Sequence, residues 1–140
     1  MLPATLPTGR SLVMGILNVT PDSFSDGGLY VDTDVAVERA YRMVRQGADI
    51  VDVGGESTRP GATALSAREE WNRIGAVVTA LGKTDIVVSV DTYHADTARR
   101  AIDAGAEIVN DVTGGAGDPN MFSAVASSSC LYILQHGRGN

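Results

Sequence analysis

Short apolar runs alternate with longer stretches in which apolar residues recur every third or fourth position. The runs are Leu12–Leu17, Ile50–Val53, Ile86–Val90, Glu107–Asn110 and Leu131–Leu134. Each is brief and mostly apolar, the pattern of parallel strands buried on both faces. Between them lie helical patterns. Asp32 or Asp34 is placed to cap a helix whose Ala36, Ala40, Met43 and Val44 share one face, ended by Gly47. Ser66-x-x-Glu69 has the form of a capping box. Trp71, Ile74, Val77, Val78 and Leu81 follow it at helical spacing, and then Gly82. Ala95, Ala98 and Ile102 make a third stripe that stops at Gly105, and Asp118-Pro119 reads as the cap and first-turn proline of a fourth helix.

Strand and helix in strict alternation predict right-handed βαβ units and a parallel α/β sheet. "GADIVDVGGES" (Gly47–Ser57) is echoed by "GAEIVNDVTGGAG" (Gly105–Gly117), two units later. A barrel whose alternate strands fill one interior layer gives such an echo; so does chance acting on shared helix and loop grammar. At 140 residues the chain has the length of one domain.

Polarity gathers at one end of the predicted strands. Asn18 follows the first, and Asp52 with Gly54-Gly55-Glu56-Ser57-Thr58-Arg59 surrounds the end of the second. Asp91-Thr92 follows the third, and Asn110-Asp111 with Gly114-Gly115 the fourth. The C-terminal strand ends are the binding face of βα folds. Four ends bearing Asn or Asp therefore imply one shared site.

Plainer readings stand beside that one. "NVTPDSFSDGG" (Asn18–Gly28) has the composition of an ordinary surface loop. Asp111 reads first as a helix cap, and Thr92 could cap the third helix itself. Asp52 and Glu56 read first as holders of neighbouring loops. Asn110 is placed to face the interior, where its amide must find a partner. Arg39, Arg42 and Arg45 read as a solvated helix face, whereas Arg59 in "STRPGA" lies on no helix. His94 and His136 lack the spacing of zinc ligands.

The net charge of −6 argues against general nucleic-acid binding. The single Cys130 asks for no oxidising compartment. No stretch approaches the roughly 18 apolar residues of a membrane span, and the first residues lack the form of a signal peptide. A soluble, cytoplasmic protein is expected. As chemistry, a buried carboxylate accepts two parallel hydrogen bonds from an N–H/NH₂ edge such as a pterin or guanine presents, and an Asn can read the remaining ring nitrogens. An Arg among glycines suits a diphosphate. An amide oxygen of Asn18 suits a magnesium ion that keeps most of its waters. No nucleophile–base pair emerges, which favours positioning and leaving-group stabilisation over covalent catalysis.

"MGILNVTPDSFSDGG" (Met14–Gly28), "GADIVDVGGESTRPGA" (Gly47–Ala62), "VSVDT" (Val88–Thr92) and "IVNDVTGG" (Ile108–Gly115) resemble the dihydropteroate synthase family. "LQHGRGN" (Leu134–Asn140) resembles the end of that family's fifth strand, with Gln135 where Met is common. The resemblance implies a (β/α)8 TIM barrel, of which residues 1–140 supply the N-terminal part of a single pterin-binding domain, about five strands and four helices. It implies a transferase that joins 6-hydroxymethyl-7,8-dihydropterin diphosphate to p-aminobenzoate and releases pyrophosphate. On this likeness Asn18 reaches Mg2+ and pyrophosphate, and Phe24 shapes the aminobenzoate pocket. Thr58 and Arg59 contact substrate and leaving group, Pro60 lies beside the aminobenzoate, and Asp91 and Asn110 hold the pterin. The two loops carrying these residues are expected to be mobile without ligand.

Competition by sulfonamides and a homodimer at full length are further implications. A non-catalytic or methyltransferase-type pterin-binding half-barrel module is the alternative, less suited to "STRPGA" because a methyl donor brings no diphosphate. Full barrels run to about 250 residues. The family's later Asp and Lys for the pterin, and its Arg-x-His for the diphosphate, have no counterpart in these 140 residues. The expectation is that this chain alone lacks synthase activity and that a second half restores it.

Overall fold

The computed structural model describes residue 3 and residues 5–21, 32–57 and 61–137. Five strands, β1 (Met14–Asn18), β2 (Ile50–Gly54), β3 (Val87–Asp91), β4 (Ile108–Asp111) and β5 (Leu131–Leu134), form one sheet in chain order. Every neighbouring pair is parallel. Among the described residues four helices lie between them: α1 (Thr33–Arg45), α2 (Ala67–Leu81), α3 (Ala95–Asp103) and α4 (Met121–Ala126). The first strand begins two residues later than its apolar run, because Val13 instead serves the turn below it: its carbonyl accepts from Asp49 N at 2.8 Å.

Local chemistry explains most element ends. Asp32 caps α1, its carboxylate accepting from the Asp34 and Val35 amides at 3.1 and 3.2 Å. Ser66 and Glu69 form the reciprocal capping box of α2. Two other expected caps are corrected. Thr92 does not cap α3; its hydroxyl accepts from His94 N and donates to Glu70. The start of α3 is capped instead from a distant loop, by Asp118 Oδ2 accepting from Ala95 N at 2.9 Å. Asp118 is not the N-cap of α4, which begins later, at Met121, after Asn120; its other oxygen, Oδ1, accepts from Asn120 N at 2.9 Å.

Side chains alternate across the sheet. Leu17, Val51, Val53, Val88 and Val90 meet α2 residues Ile74, Val77, Val78 and Leu81 in the main core. Val44, expected on the buried face of α1, is instead 37% exposed at its edge. On the other face Ile50, Val87 and Ile108 join Leu6 in a second apolar cluster, flanked by Leu12, Met14, Leu131 and Ile133. That face is turned away from the helices and is the inner face of the βα layer. Gly82 and Gly105 let two helix ends touch: a Cβ on Gly105 would lie 2.7 Å from Gly82 O, and one on Gly82 would collide with the Ala104 carbonyl. Gly105 also has φ +107°, which an L side chain rarely adopts.

Candidate functional site

The inner face has two layers. Ile50, Val87 and Ile108 fill the lower one. One pleat further along the same strands, alternation brings Asp52, Ser89 and Asn110 to the inner face, and a second pleat brings Asp91, with Asn18 at the end of β1. In register, Asp52 pairs with Ser89, Gly54 with Asp91, and Asp91 with Asn110. Three of the expected residues, Asn18, Asp91 and Asn110, thus stand at the same end of one parallel sheet. Phe24, Thr58, Arg59 and Pro60, and the expected mobility of their loops, lie outside the described residues.

Asn110 finds its partner in Asp52: its Nδ2 donates to Asp52 Oδ2 at 3.0 Å in buried surroundings. Gln135 Nε2, just past β5, donates to Asn110 Oδ1 at 3.1 Å. The remaining Asp52 oxygen, Oδ1, and the Ser89 hydroxyl are buried and have no hydrogen-bond partner among the described residues. Such orphaned groups are costly in a core and mark a surface built to meet something polar. Asp91 is half-buried, and its carboxyl is pushed up to about 6, first by burial and then by the charges of Asp52, Glu70, Glu56 and Asp111. At neutral pH it is an ionised acceptor whose lost hydration a donor edge can replace.

Beside this layer lies a second polar group. Glu70 is buried under the site and accepts from Thr92 Oγ1 at 2.7 Å, with burial raising its pKa. Glu56 accepts from Tyr93 OH at 3.0 Å and from Leu65 N at 3.2 Å. Burial, followed by the bond to Glu56, pushes the Tyr93 phenol up to about 12. His94 Nε2 lies 2.9 Å from Leu65 O. Ligand atoms of Glu56, Glu70 and His94 lie within 4.8 Å of one another, the one such trio among the described residues. The bonds just named account for this clustering: they tie β3 and α2 to the loop after β2, as the plainer reading of Glu56 expected.

Asp111 also has a structural task, though not the helix cap it suggested. Its carboxylate accepts from Thr113 N and Oγ1, from Gly115 N and from Tyr132 OH, at 2.6–3.0 Å. It faces the helices and shapes the Gly114-Gly115 turn, so it is not available to a ligand in the interior. Asp52, in contrast, belongs to the interior and not to a loop. Sequence reasoning assigned Asp52 to a loop and passed over Ser89 and Glu70, yet the signals were there. Val51 and Val53 bracket Asp52, Val88 and Val90 bracket Ser89, and Glu70 precedes Ile74 by one helical turn on the buried stripe.

A hollow of about 570 Å3 opens at the opposite end of the strands, lined by Thr5, Pro7, Tyr41 and Lys83 among others. It lies at the end that carries stability in βα folds. For magnesium, Asn18 offers one exposed amide oxygen at the rim, a fit for a hard cation that retains waters and takes its other ligands from phosphate.

The profile of the pterin binding enzyme family matches residues 14–140. The dihydropteroate synthase of Mycobacterium leprae is 54% identical over 126 residues, 90% of this chain and 44% of that protein. The crystal structure of dihydropteroate synthase from Clostridium difficile in the presence of pteroic acid superposes with a TM-score of 0.86 at 47% identity, covering 92% of this chain and 49% of that one. The Xanthomonas albilineans enzyme with 4-aminobenzoic acid gives 0.84 at 45% identity, covering 93% and 48%. The chain spans about half the length of the curated relatives it matches.

Proposed function

The chain belongs to the pterin-binding enzyme family, and from that premise we propose that it provides the pterin-reading half of a dihydropteroate synthase. The observation that carries this is the inner polar layer: Asp91, ionised above about pH 6, beside an Asn110 already held by Asp52. Asp91 accepts from the N–H/NH₂ edge of the pterin, and Asn110 pairs with neighbouring ring positions. The relatives solved with pteroic acid and with 4-aminobenzoic acid support these two substrate classes.

In the reaction, the bond between the pterin methylene carbon and the diphosphate oxygen breaks, and diphosphate leaves with the bonding pair. The cation-like methylene accepts the lone pair of the arylamine nitrogen, which then gives up a proton. This chain's part is to hold the pterin in line and to exclude alternative orientations. Asn18 would hold Mg2+, which supplies charge neutralisation at the departing diphosphate. Thr58, Arg59, Phe24 and Pro60 take the diphosphate and aminobenzoate contacts on the strength of the family likeness. Sulfonamide competition, a homodimer and a cytoplasmic workplace belong to the same proposal; no helix among the described residues is long and apolar enough to cross a membrane.

The decisive assay joins this chain to a second half-barrel from a relative and measures pyrophosphate release with dihydropterin diphosphate and p-aminobenzoate. Release that requires both substrates is expected, with none from residues 1–140 alone. Pterin binding without release would favour a non-catalytic or methyl-transfer module.

A further inference from the structure

We infer that Asp52 is a positioning residue that fixes the orientation of the Asn110 amide, with Gln135 following on its other side. This rests on the pterin-reading role proposed for Asn110. An Asn amide has nearly the same shape when rotated by 180°, but its oxygen accepts while its NH₂ donates. An interior Asn that could flip would offer a ring two opposite hydrogen-bond patterns.

Asp52 removes that freedom. Asn110 Nδ2 donates to Asp52 Oδ2 at 3.0 Å, so a flipped amide would set oxygen against oxygen in buried surroundings. Asp52 offers Asn110 a carboxylate oxygen, an acceptor, and cannot adapt to the flip by turning over as an amide can. Gln135 Nε2 meets Asn110 Oδ1 at 3.1 Å and reinforces the same orientation. Being itself an amide, Gln135 could turn over together with Asn110, so alone it locks nothing. The two contacts look alike, but only one is a lock.

Asp52 Oδ1, without a partner among the described residues, strengthens the case. Asp52 is 4% exposed, and a buried carboxylate with one orphaned oxygen is a poor choice for stability. A neutral amide there would be easier to bury, but it could present either an oxygen or an NH₂ to Asn110 and would lose the lock. The position is thus expected to trade stability for orientation.

The test uses the protein with its barrel completed. Asp52→Asn is expected to weaken binding of 6-hydroxymethyl-7,8-dihydropterin diphosphate by about 10- to 100-fold, the effect of misdirecting one or two buried hydrogen bonds. Its melting temperature should stay equal or rise. Gln135→Met should change binding by less than about threefold, because Asp52 remains. In the ligand-free protein, ¹⁵N NMR of the Asn110 side chain should show one ordered, exchange-protected NH₂ in wild type and in Gln135→Met, but exchange broadening or two forms in Asp52→Asn. Unchanged binding in Asp52→Asn, a fall in melting temperature that accompanies the lost binding, or an equally ordered Asn110 amide would overturn the inference. Should wild type bind no pterin diphosphate, the functional reading falls, and the ligand-free NMR comparison still decides the lock.

Discussion

Two aspartates of one sheet, Asp49 just before β2 and Asp91 at the end of β3, live in opposite worlds. Asp49 takes two bonds from the Arg10 guanidinium, at 2.6 and 2.8 Å, and one from Val13 N at 2.8 Å. Its carboxyl is held below the usual range, first by the Arg10 bond and then by the Val13 amide. Among the described residues Asp91 has no such cation and faces four other carboxylates, and burial raises it to about 6. One end of the sheet is electrostatically closed, tying the chain's first segment under the strands. The other is left short of donors. Binding sites are made by leaving polar groups unsatisfied where a ligand will satisfy them, and the contrast locates that end.

The sharpest test of this contrast is binding. In a completed barrel Asp91→Asn should weaken pterin-diphosphate binding by about 100-fold or more, since it replaces a charged acceptor with an amide. Asp49→Asn should leave it within about twofold, because the Arg10–Asp49 pair lies at the far end of the strands, away from the ligand. Calorimetric titration of both variants decides the matter; equal losses would erase the distinction between the ends.

A smaller effect concerns stability. A folded Asp91 carboxyl at about 6 holds its proton more tightly than one at the ordinary 3.8. The folded state therefore binds more protons between those values, and stability falls as pH rises through that window. Asp91→Asn should stabilise the fold at pH 7 by something of the order of 1 kcal/mol, allowing for partial solvent screening. The gain should vanish below about pH 4, where both states of Asp91 are protonated. Denaturant midpoints at pH 4, 5.5 and 7 would show it, and a gain independent of pH would point to packing instead.

The smallest effect belongs to Asp49, with the opposite sign. Its lowered pKa contributes stability that is present above the ordinary carboxylate value and lost as pH falls through the folded one. Asp49→Asn should lower the midpoint slightly at pH 7 and at low salt. The difference should shrink as salt rises, because Arg10 is largely exposed. A salt-independent loss would assign the effect to the Val13 amide bond and not to the ion pair.

Much of the architecture was legible before any coordinates. Period-two and period-3.6 patterns are direct consequences of backbone geometry, so five strands, four helices and the Ser66–Glu69 capping box could be read off the chain. The grouping of Asn18, Asp91 and Asn110 followed from the rule that parallel strands share a direction. Caps were less legible. Asp118 looked local, and one oxygen does accept from Asn120 N, yet the other serves Ala95, 23 residues earlier; a carboxylate bonds whichever amide the fold brings near.

What residue order determined by itself was periodicity, the fold class and the end of the strands at which polarity collects, because these depend on neighbours a few positions apart. Only the tertiary structure decided which acids were partners and which were left unsatisfied. Asp52 and Asn110 are 58 residues apart and meet at 3.0 Å. Asp111 turns to its own loop while Asn110, one residue earlier, turns inward. Side-chain identity is written locally, but hydration, charge environment and hydrogen-bond partnership are set by whatever packs around a group. The same aspartate is therefore a clasp at one end of the sheet and an acceptor awaiting its donor at the other.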